Sequence, residues 1–396
     1  MRRLIIFLLL SVPGLLPAQM TYPQADSLSL AYYLQREWNS LDSIGRLALE
    51  EGIDYPLLRM RIGYADYMLE NYTGSLAQYE AALKQDHGNT TARWFLYENN
   101  RLLGRDEAAA YHASFLPDTT LKAMHRKKND AFSSADFLIS GKFNSIDERS
   151  PAIYLQAGFS SRFGKRWSLY QSVAFYRQNY YLFYRDSAFH PPPGYPPQAP
   201  PPLHTDTTRI RQWQYNARAG FQFSARWAAW AGTGLLFDGN GTQDVIGFGV
   251  KYELPKLVLN TDAYYGNFSS LNTLQFGGGF LFPVNNRFYV QARADYLSGD
   301  SINHFIPGFG FGFRLRESTW LSLNGTIGSG RYYSDNKGLY VYNMPDENRF
   351  RSTASLSLPL NDHVRMGIYY TWEYQRDISN SNYSQNSITG GLLWKR

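Results

Sequence analysis

The sequence predicts an α+β multidomain chain, with an all-helical N-terminal third followed by an antiparallel transmembrane β-barrel of about fourteen strands. Three observations carry that expectation. From about residue 135 onward, segments of ~10 residues alternate apolar and polar side chains and close on turns. The connections between these segments alternate short and long. An apolar leader opens the chain, and beyond it no run of ~18 apolar residues offers a membrane-spanning helix.

The leader carries Arg2 and Arg3, the apolar run Leu4 to Leu10, and then Pro17-Ala18-Gln19. It reads as a secretory signal peptide over residues 1–18, cleaved after Ala18. Removing Arg2 and Arg3 takes two charges from the formal +6, leaving +4. So mild an excess, on an exported chain, gives no argument for a nucleic-acid partner. With 0 cysteines, the chain excludes disulfides, thiolate metal sites, cysteine nucleophiles and lipid attachment through a thiol. Aromatic residues make up 16%, and a barrel uses them in the girdles where lipid meets water.

Residues 22–116 have a helical period and few turn signals, and are expected in the periplasm. Ile53 to Lys84 holds two helical stretches joined around Glu70-Asn71-Tyr72-Thr73. Within it, Ile62-Gly63, Ser75, Tyr79 and Ala82-Leu83 stand where a tetratricopeptide repeat needs its small and large packing residues. A second copy follows with Trp94, Leu103-Gly104, Ala109 and Ala113, and a degenerate one precedes across Tyr32, Trp38, Leu41, Leu47 and Ala48. The region therefore resembles a short tetratricopeptide array. Such arrays present a groove to a peptide or protein, which would place Tyr67, Trp94 and Tyr97 at a partner. An unrelated helical bundle that packs as a plug or spacer is the alternative. Residues 117–134 read as a linker, opened by Pro117-Asp118 and carrying the polar run His125 to Asp130. A minority reading gives that run to anionic lipid or lipopolysaccharide head groups.

The barrel, residues 135–396, reads as strands at 136–144, 152–163, 167–186, 207–223, 226–237, 242–253, 256–266, 271–283, 287–297, 303–316, 319–332, 347–359, 364–377 and 385–395. Tight connections such as Ser224-Ala225, Leu254-Pro255 and Asn285-Asn286 belong on the periplasmic side; longer ones, such as 187–206 and 333–346, belong outside. Arg287 to Tyr296 shows the two faces: Phe288, Val290, Ala292, Ala294 and Tyr296 on one, Arg287, Tyr289, Gln291, Arg293 and Asp295 on the other. Val364, Met366, Ile368, Tyr370, Trp372 and Tyr374 form an outward stripe, as do Phe305, Phe309, Phe311 and Phe313. A charge turned to hydrocarbon at mid-depth costs about 2–4 kcal/mol, which fixes these assignments. For 226–237 and 242–253 the faces are too similar to separate.

The inward phase gathers Arg162, Arg218, Asp262, Arg293, Asp295, Arg351, Arg365 and Glu373 as lumen-lining candidates, with Gln156, Gln214, Asn260, Gln275 and Gln291 between them. Two readings stand: a pore lining for anionic or sugar-like solutes, or charge pairs that fill and brace the barrel. The Pro-rich segment His190 to His204 reads as a stiff extended loop. Nothing points to an enzyme, a metal or a cofactor. The seven histidines lack metal-binding spacing, Ser301 and His304 have no acid placed to orient them, and Gly277 to Gly279 lies in a strand rather than before a helix.

Leader, Ile62-Gly63, Ser75, Tyr79, Ala82-Leu83 and the strand pattern together make the chain similar to the YaiO-type outer-membrane barrel proteins with N-terminal repeats. The domain order is also similar to that of exopolysaccharide-export barrels, in which periplasmic repeats bind assembly partners. The resemblance implies a non-enzymatic protein of the outer membrane, surrounded by its lipid and lipopolysaccharide. Its repeats would dock a periplasmic protein in envelope assembly or export. The alternative is a passive or gated channel for small polar or anionic and sugar-like solutes.

Overall fold

The computed structural model describes residues 19–123, 130–164, 166–185, 203–239, 241–268, 271–299, 302–316, 318–335, 340–344, 346–377 and 379–395. The leader 1–18, the basic run from His125, and the proline segment up to Pro202 lie outside the described residues, as does Ser301. The chain divides into two compact units, one ending at Gly104 and one starting at Arg105.

The first unit is helical: α1 (Tyr22–Gln35), α2 (Trp38–Glu50), α3 (Pro56–Met68), α4 (Tyr72–Gln85) and α5 (Thr90–Leu102). Helices α1, α3 and α5 begin at positions 22, 56 and 90, and α2 and α4 at 38 and 72, so each step is 34 residues. Pro stands in the first turn of α1 and of α3, where its missing N–H is no loss. Asn71 caps α4 by accepting from the Gly74 amide, and Asn89 caps α5 by accepting from that of Ala92. Small residues let neighbouring helices approach closely. A Cβ on Gly63 would stand 2.9 Å from the Tyr79 ring, and one on Gly45 would collide with Ile62. Tyr79 stacks on Phe95 at 4.7 Å, inside a core of Leu76, Ala82, Ala92 and Leu96. The Ser75 hydroxyl donates to Gly63 O at 2.7 Å and accepts from Asn99 at 2.9 Å, tying α3, α4 and α5.

The second unit opens with α6 (Asp106–Ala113) and α7 (Asp118–Ala123), then β1 (Asp130–Asn144). The span read as a linker, 117–134, thus holds a short helix and the start of a strand. Their brevity and polar sequence give no periodic signal. The strands that follow are β2 (Ala152–Phe163), β3 (Trp167–Arg185), β4 (Leu203–Gln222), β5 (Trp227–Asp238), β6 (Gly241–Leu254), β7 (Leu257–Phe268), β8 (Leu271–Pro283), β9 (Phe288–Gly299), β10 (Ile302–Arg316) and β11 (Thr319–Gly330). After the small hairpin β12 (Tyr333–Asp335) and β13 (Tyr340–Tyr342) come β14 (Glu347–Pro359), β15 (Val364–Arg376) and β16 (Asn382–Lys395).

All but the hairpin form one closed antiparallel barrel of fourteen strands, each paired to its sequence neighbour, with β1 closing on β16 from Ser134↔Lys395 to Asn144↔Gln385. Closure removes the exposed edges that an open sheet of this size would carry. The two outward stripes are where the alternation puts them: Phe309 is 67% exposed and Ile368 43%, whereas Glu373 is 2% exposed. At the short-turn end, outward aromatics meet in pairs: Phe132 with Trp394, Trp167 with Phe221, Trp227 with Tyr252, and Phe288 with Phe313. The undecided faces also resolve. Ala228, Leu236, Val245 and Glu253 are buried inward, while Trp227, Phe237, Ile246 and Phe248 face out.

The hairpin corrects the reading of 333–346 as a plain external loop. It is a two-stranded ribbon with the register Tyr333↔Tyr342 to Asp335↔Tyr340. Three-residue strands fall below the length at which alternation is visible.

Candidate functional site

Within the second unit, the barrel interior gathers the polar chemistry. Consecutive strands place Asp262 of β7 across from Gly277 of β8, and Gly277 across from Asp295 of β9. Arg293 of β9 fills the gap: its Nη2 donates to Asp262 and to Asp295 at 2.6 Å each, and Gln275 donates to Asp295 at 2.9 Å. A Cβ on Gly277 would collide with Arg293 Nη2, so the glycine makes the space the ion cluster occupies. Further round the wall, Arg351 of β14 donates to Glu373 of β15 at 2.8 Å and to Asp335 of the hairpin at 3.3 Å, and Asn348 donates to Glu373 at 2.7 Å. Six of the eight lumen candidates therefore fall as follows: five in these two clusters, and Arg218 against the Tyr170 ring at 5.8 Å. Arg365 sits at the short-turn rim, donating to Ser318 O at 3.0 Å and to Ser357 at 3.3 Å. Arg162, half-exposed, keeps the alternate phase of Gln156 and pairs in register with Ser168.

The hairpin β12–β13 turns into the barrel. Gln275 binds its backbone twice, accepting from Ser334 N at 2.8 Å and donating to Ser334 O at 2.9 Å. Val341 packs with Leu236, Val245, Tyr264 and Phe268. Beyond the hairpin, Asp346 accepts from Arg149 Nε and Nη2 at 3.1 Å each and from the Tyr383 hydroxyl at 2.7 Å, while Arg149 lies 3.8 Å over the Tyr180 ring. The segment is thus held at β8 and again at the β1–β2 loop and β16. Under Tyr342, Asn343 and Met344 it leaves a small chamber, open to solvent and walled by β1–β4, β15 and β16.

At the other end of the barrel, Arg105 donates to Leu254 O and Pro255 O at 3.0 Å each, in the β6–β7 turn. Glu107 of α6 accepts from Lys251 at 2.9 Å, Asp106 from Lys395 at 2.7 Å, and Arg166 lies 5.1 Å from the Tyr111 ring. Helix α6 thus touches the rim at three separated turns or strand ends. None of these rim contacts is legible in the sequence, since each joins residues at least 55 positions apart without any local pattern.

In the first unit, Tyr67 belongs to an aromatic cluster with Tyr64, Tyr72 and Phe95, the last at 5.3 Å. Trp94 and Tyr97 pair at 5.3 Å. Tyr97 is buried, at 7% exposure, so its ring offers almost no surface to a partner. Among the described residues, no three His, Asp or Glu side chains are grouped to hold a metal ion.

No protein-family model and no curated protein matches the sequence. Among solved structures the chain is similar to the CymD monoaromatic hydrocarbon channel, at 7% identity over 67% of this chain and 89% of that one, with a TM-score of 0.45. It is also similar to the toluene transporter TodX of Pseudomonas putida, at 10% identity over 75% and 93%, TM-score 0.44. The NanC porin aligns at 12% identity over 66% of this chain and 100% of that one, TM-score 0.36.

Proposed function

We propose that the chain is an outer-membrane barrel that admits small polar solutes through a lumen narrowed by its own hairpin. The observation that supports this reading is the inward fold of β12–β13, which occupies part of a polar interior yet leaves an open chamber beneath it. A barrel serving only as an anchor needs no such chamber. The membrane location rests on the outward faces of β10 and β15 and on the aromatic pairs at the short-turn end. Short turns then lie in the periplasm, and so do α6 and the helical unit. The test is conductance of the purified full chain in planar bilayers, with residues 333–342 replaced by a Gly-Ser linker in a parallel sample. Steady conductance that rises in the linker variant is expected. A protein that conducts no better than bare lipid in either form overturns the channel reading.

A second reading, docking of a periplasmic protein by the helical unit, is favoured by the 34-residue spacing of its helices, the period of tetratricopeptide repeats. Photo-crosslinking from Tyr67 or Trp94 in intact cells tests it; the absence of any trapped protein removes its support.

A further inference from the structure

We propose that the outward face of β3 and β4, just above their lipid-facing stretch, is a binding site for the phosphate groups of lipopolysaccharide. The proposal rests on the outer-membrane reading with the long loops outside, and not on conduction through the lumen. On these strands the odd-numbered side chains face out: Val173 is 47% exposed and Trp213 54%, whereas Gln178 and Gln214 are buried. Two outward aromatic pairs mark levels along the wall. Trp167 meets Phe221 at 4.7 Å at the short-turn end, and Phe175 meets Trp213 at 4.8 Å toward the other. The next outward pair in register is Arg177↔Arg211, followed by Asn179↔Arg209. Trp167 and Arg177 lie ten residues apart on one strand. At ~3.3 Å per residue and a tilt of ~40°, that is ~25 Å along the membrane normal, the height of a barrel's apolar band. The arginines therefore stand at the level of the outer head groups.

Their arrangement calls for an anion. Arg177 and Arg211 are directly opposite across the two strands, and Arg209 follows one outward step further on. Like charges so placed repel each other. All three are exposed, and none of them is paired with a carboxylate among the described residues. The arginines of the lumen differ: Arg293 and Arg351 each hold a carboxylate. A phosphate seated between the three would remove the repulsion and accept paired bonds from a guanidinium fork. Lipid A, the membrane anchor of lipopolysaccharide, carries phosphate at both ends of its disaccharide head, so one molecule offers the cluster more than one anion. The β3–β4 ladder also continues past the arginines to Arg185↔Leu203, with Tyr181 and Thr207 on the same face. That wall stands beside the sugars of lipopolysaccharide, at a height where a phospholipid has nothing to offer.

The experiment is native mass spectrometry of the folded full chain from a polyoxyethylene detergent, titrated with bisphosphorylated lipid A, its monophosphorylated form or phosphatidylglycerol. The parent protein should retain bisphosphorylated lipid A, the monophosphorylated form at least five-fold more weakly, and phosphatidylglycerol at least ten-fold more weakly. Combining Arg177→Gln, Arg209→Gln and Arg211→Gln should weaken lipid A at least ten-fold. Combining Lys256→Gln, Arg287→Gln and Arg316→Gln removes as many exposed cations from the short-turn end and should leave the affinity unchanged. Heat-modifiability on gels shows which variants are folded, and Arg211→Gln alone, at least three-fold weaker, serves if the triple variant is not. A parent that retains no lipid A, equal affinity for phosphatidylglycerol, or equal loss in the two triple variants overturns the proposal. Ion flow enters none of these outcomes, so lipid A binding without bilayer conductance would remove the channel reading and keep the site.

Discussion

Lys251 of β6 reaches Glu107 of α6 at 2.9 Å while also touching Glu253 of its own strand at 3.0 Å. One cation thereby joins the barrel wall to the helix that crosses its rim. Glu107→Ala breaks that join and leaves Lys251 its second carboxylate, so the loss is about 1 kcal/mol rather than that of a stranded buried charge. The expected outcome is faster hydrogen exchange of the α6 amides with an unchanged exchange pattern in β5 to β7. Equal protection of α6 in both proteins would show that its remaining rim contacts, through Arg105, Asp106 and Tyr111, hold the helix without Glu107.

Arg293 separates two carboxylates that face each other across Gly277. Asp262 beneath it is 3% exposed along its side chain, so removing the guanidinium leaves a buried, unbalanced anion. Arg293→Met should destabilise the barrel by about 3–5 kcal/mol, read as a shift in the denaturant midpoint of unfolding. Adding Asp262→Asn to it should restore part of that loss, because the remaining anion, Asp295, keeps the Gln275 bond. If the single substitution leaves the midpoint in place, the cluster contributes nothing to stability.

The alternation of side chains makes the strands readable to within a few residues, because a lipid-facing and a water-facing surface impose opposite demands at every step. The Phe309 and Ile368 stripes are the clearest cases. Where both faces carry small or apolar residues, as in β5 and β6, the same logic does not choose between them. Leu236 and Val245 turn inward because Val341 of the hairpin needs an apolar partner there. That partner is about 100 residues away in sequence and sits in a loop, so no local pattern announces it. Phase alone identifies the charged lumen residues, yet their pairing into the Arg293 and Arg351 clusters depends on register. Most glutamines of the chamber are hidden for a plainer reason. A neutral amide on a strand looks the same whether it lines a site or merely avoids lipid.

Asp66 gives the helical unit a pH dependence of unusual sign. Burial pushes its carboxyl up to about 6, and the bonds from Arg46 and Asn71 offset only part of the shift. A raised pKa means that the folded state holds the proton more tightly than the unfolded chain. Stability from this group is therefore complete below about pH 4 and is lost as pH rises through about 6. Asp26 and Asp54, whose pKa values are lowered by bonds from Tyr55 and Arg59 respectively, act only below their own ordinary range. Between pH 7.5 and 5 the Asp66 effect stands alone among these three, at about 1 kcal/mol by linkage. The helical signal of the full chain at 222 nm should melt a few degrees higher at pH 5 than at pH 7.5, and Asp66→Asn should flatten that difference. A melting point that falls on acidification in the parent protein would contradict the buried, protonated Asp66.

Phe309 and Leu315 share the outward face of β10, the first at its middle and the second near its short-turn end, with exposures of 67% and 61%. In water the two positions are equivalent, and an arginine at either would be nearly neutral or mildly favourable. In a bilayer they differ by depth. Phe309→Arg places a charge near the midplane, at a cost of about 2–4 kcal/mol, whereas Leu315→Arg lies at the interface, where the cost falls to about 0–1 kcal/mol. Equilibrium folding of the two variants from urea into phospholipid vesicles reads the difference directly. Unequal losses in that order support the embedding of this wall in lipid. Equal losses, or a parent chain that folds without vesicles or detergent, would leave the apolar exterior without a solvent to match it and remove the membrane from every argument built on it.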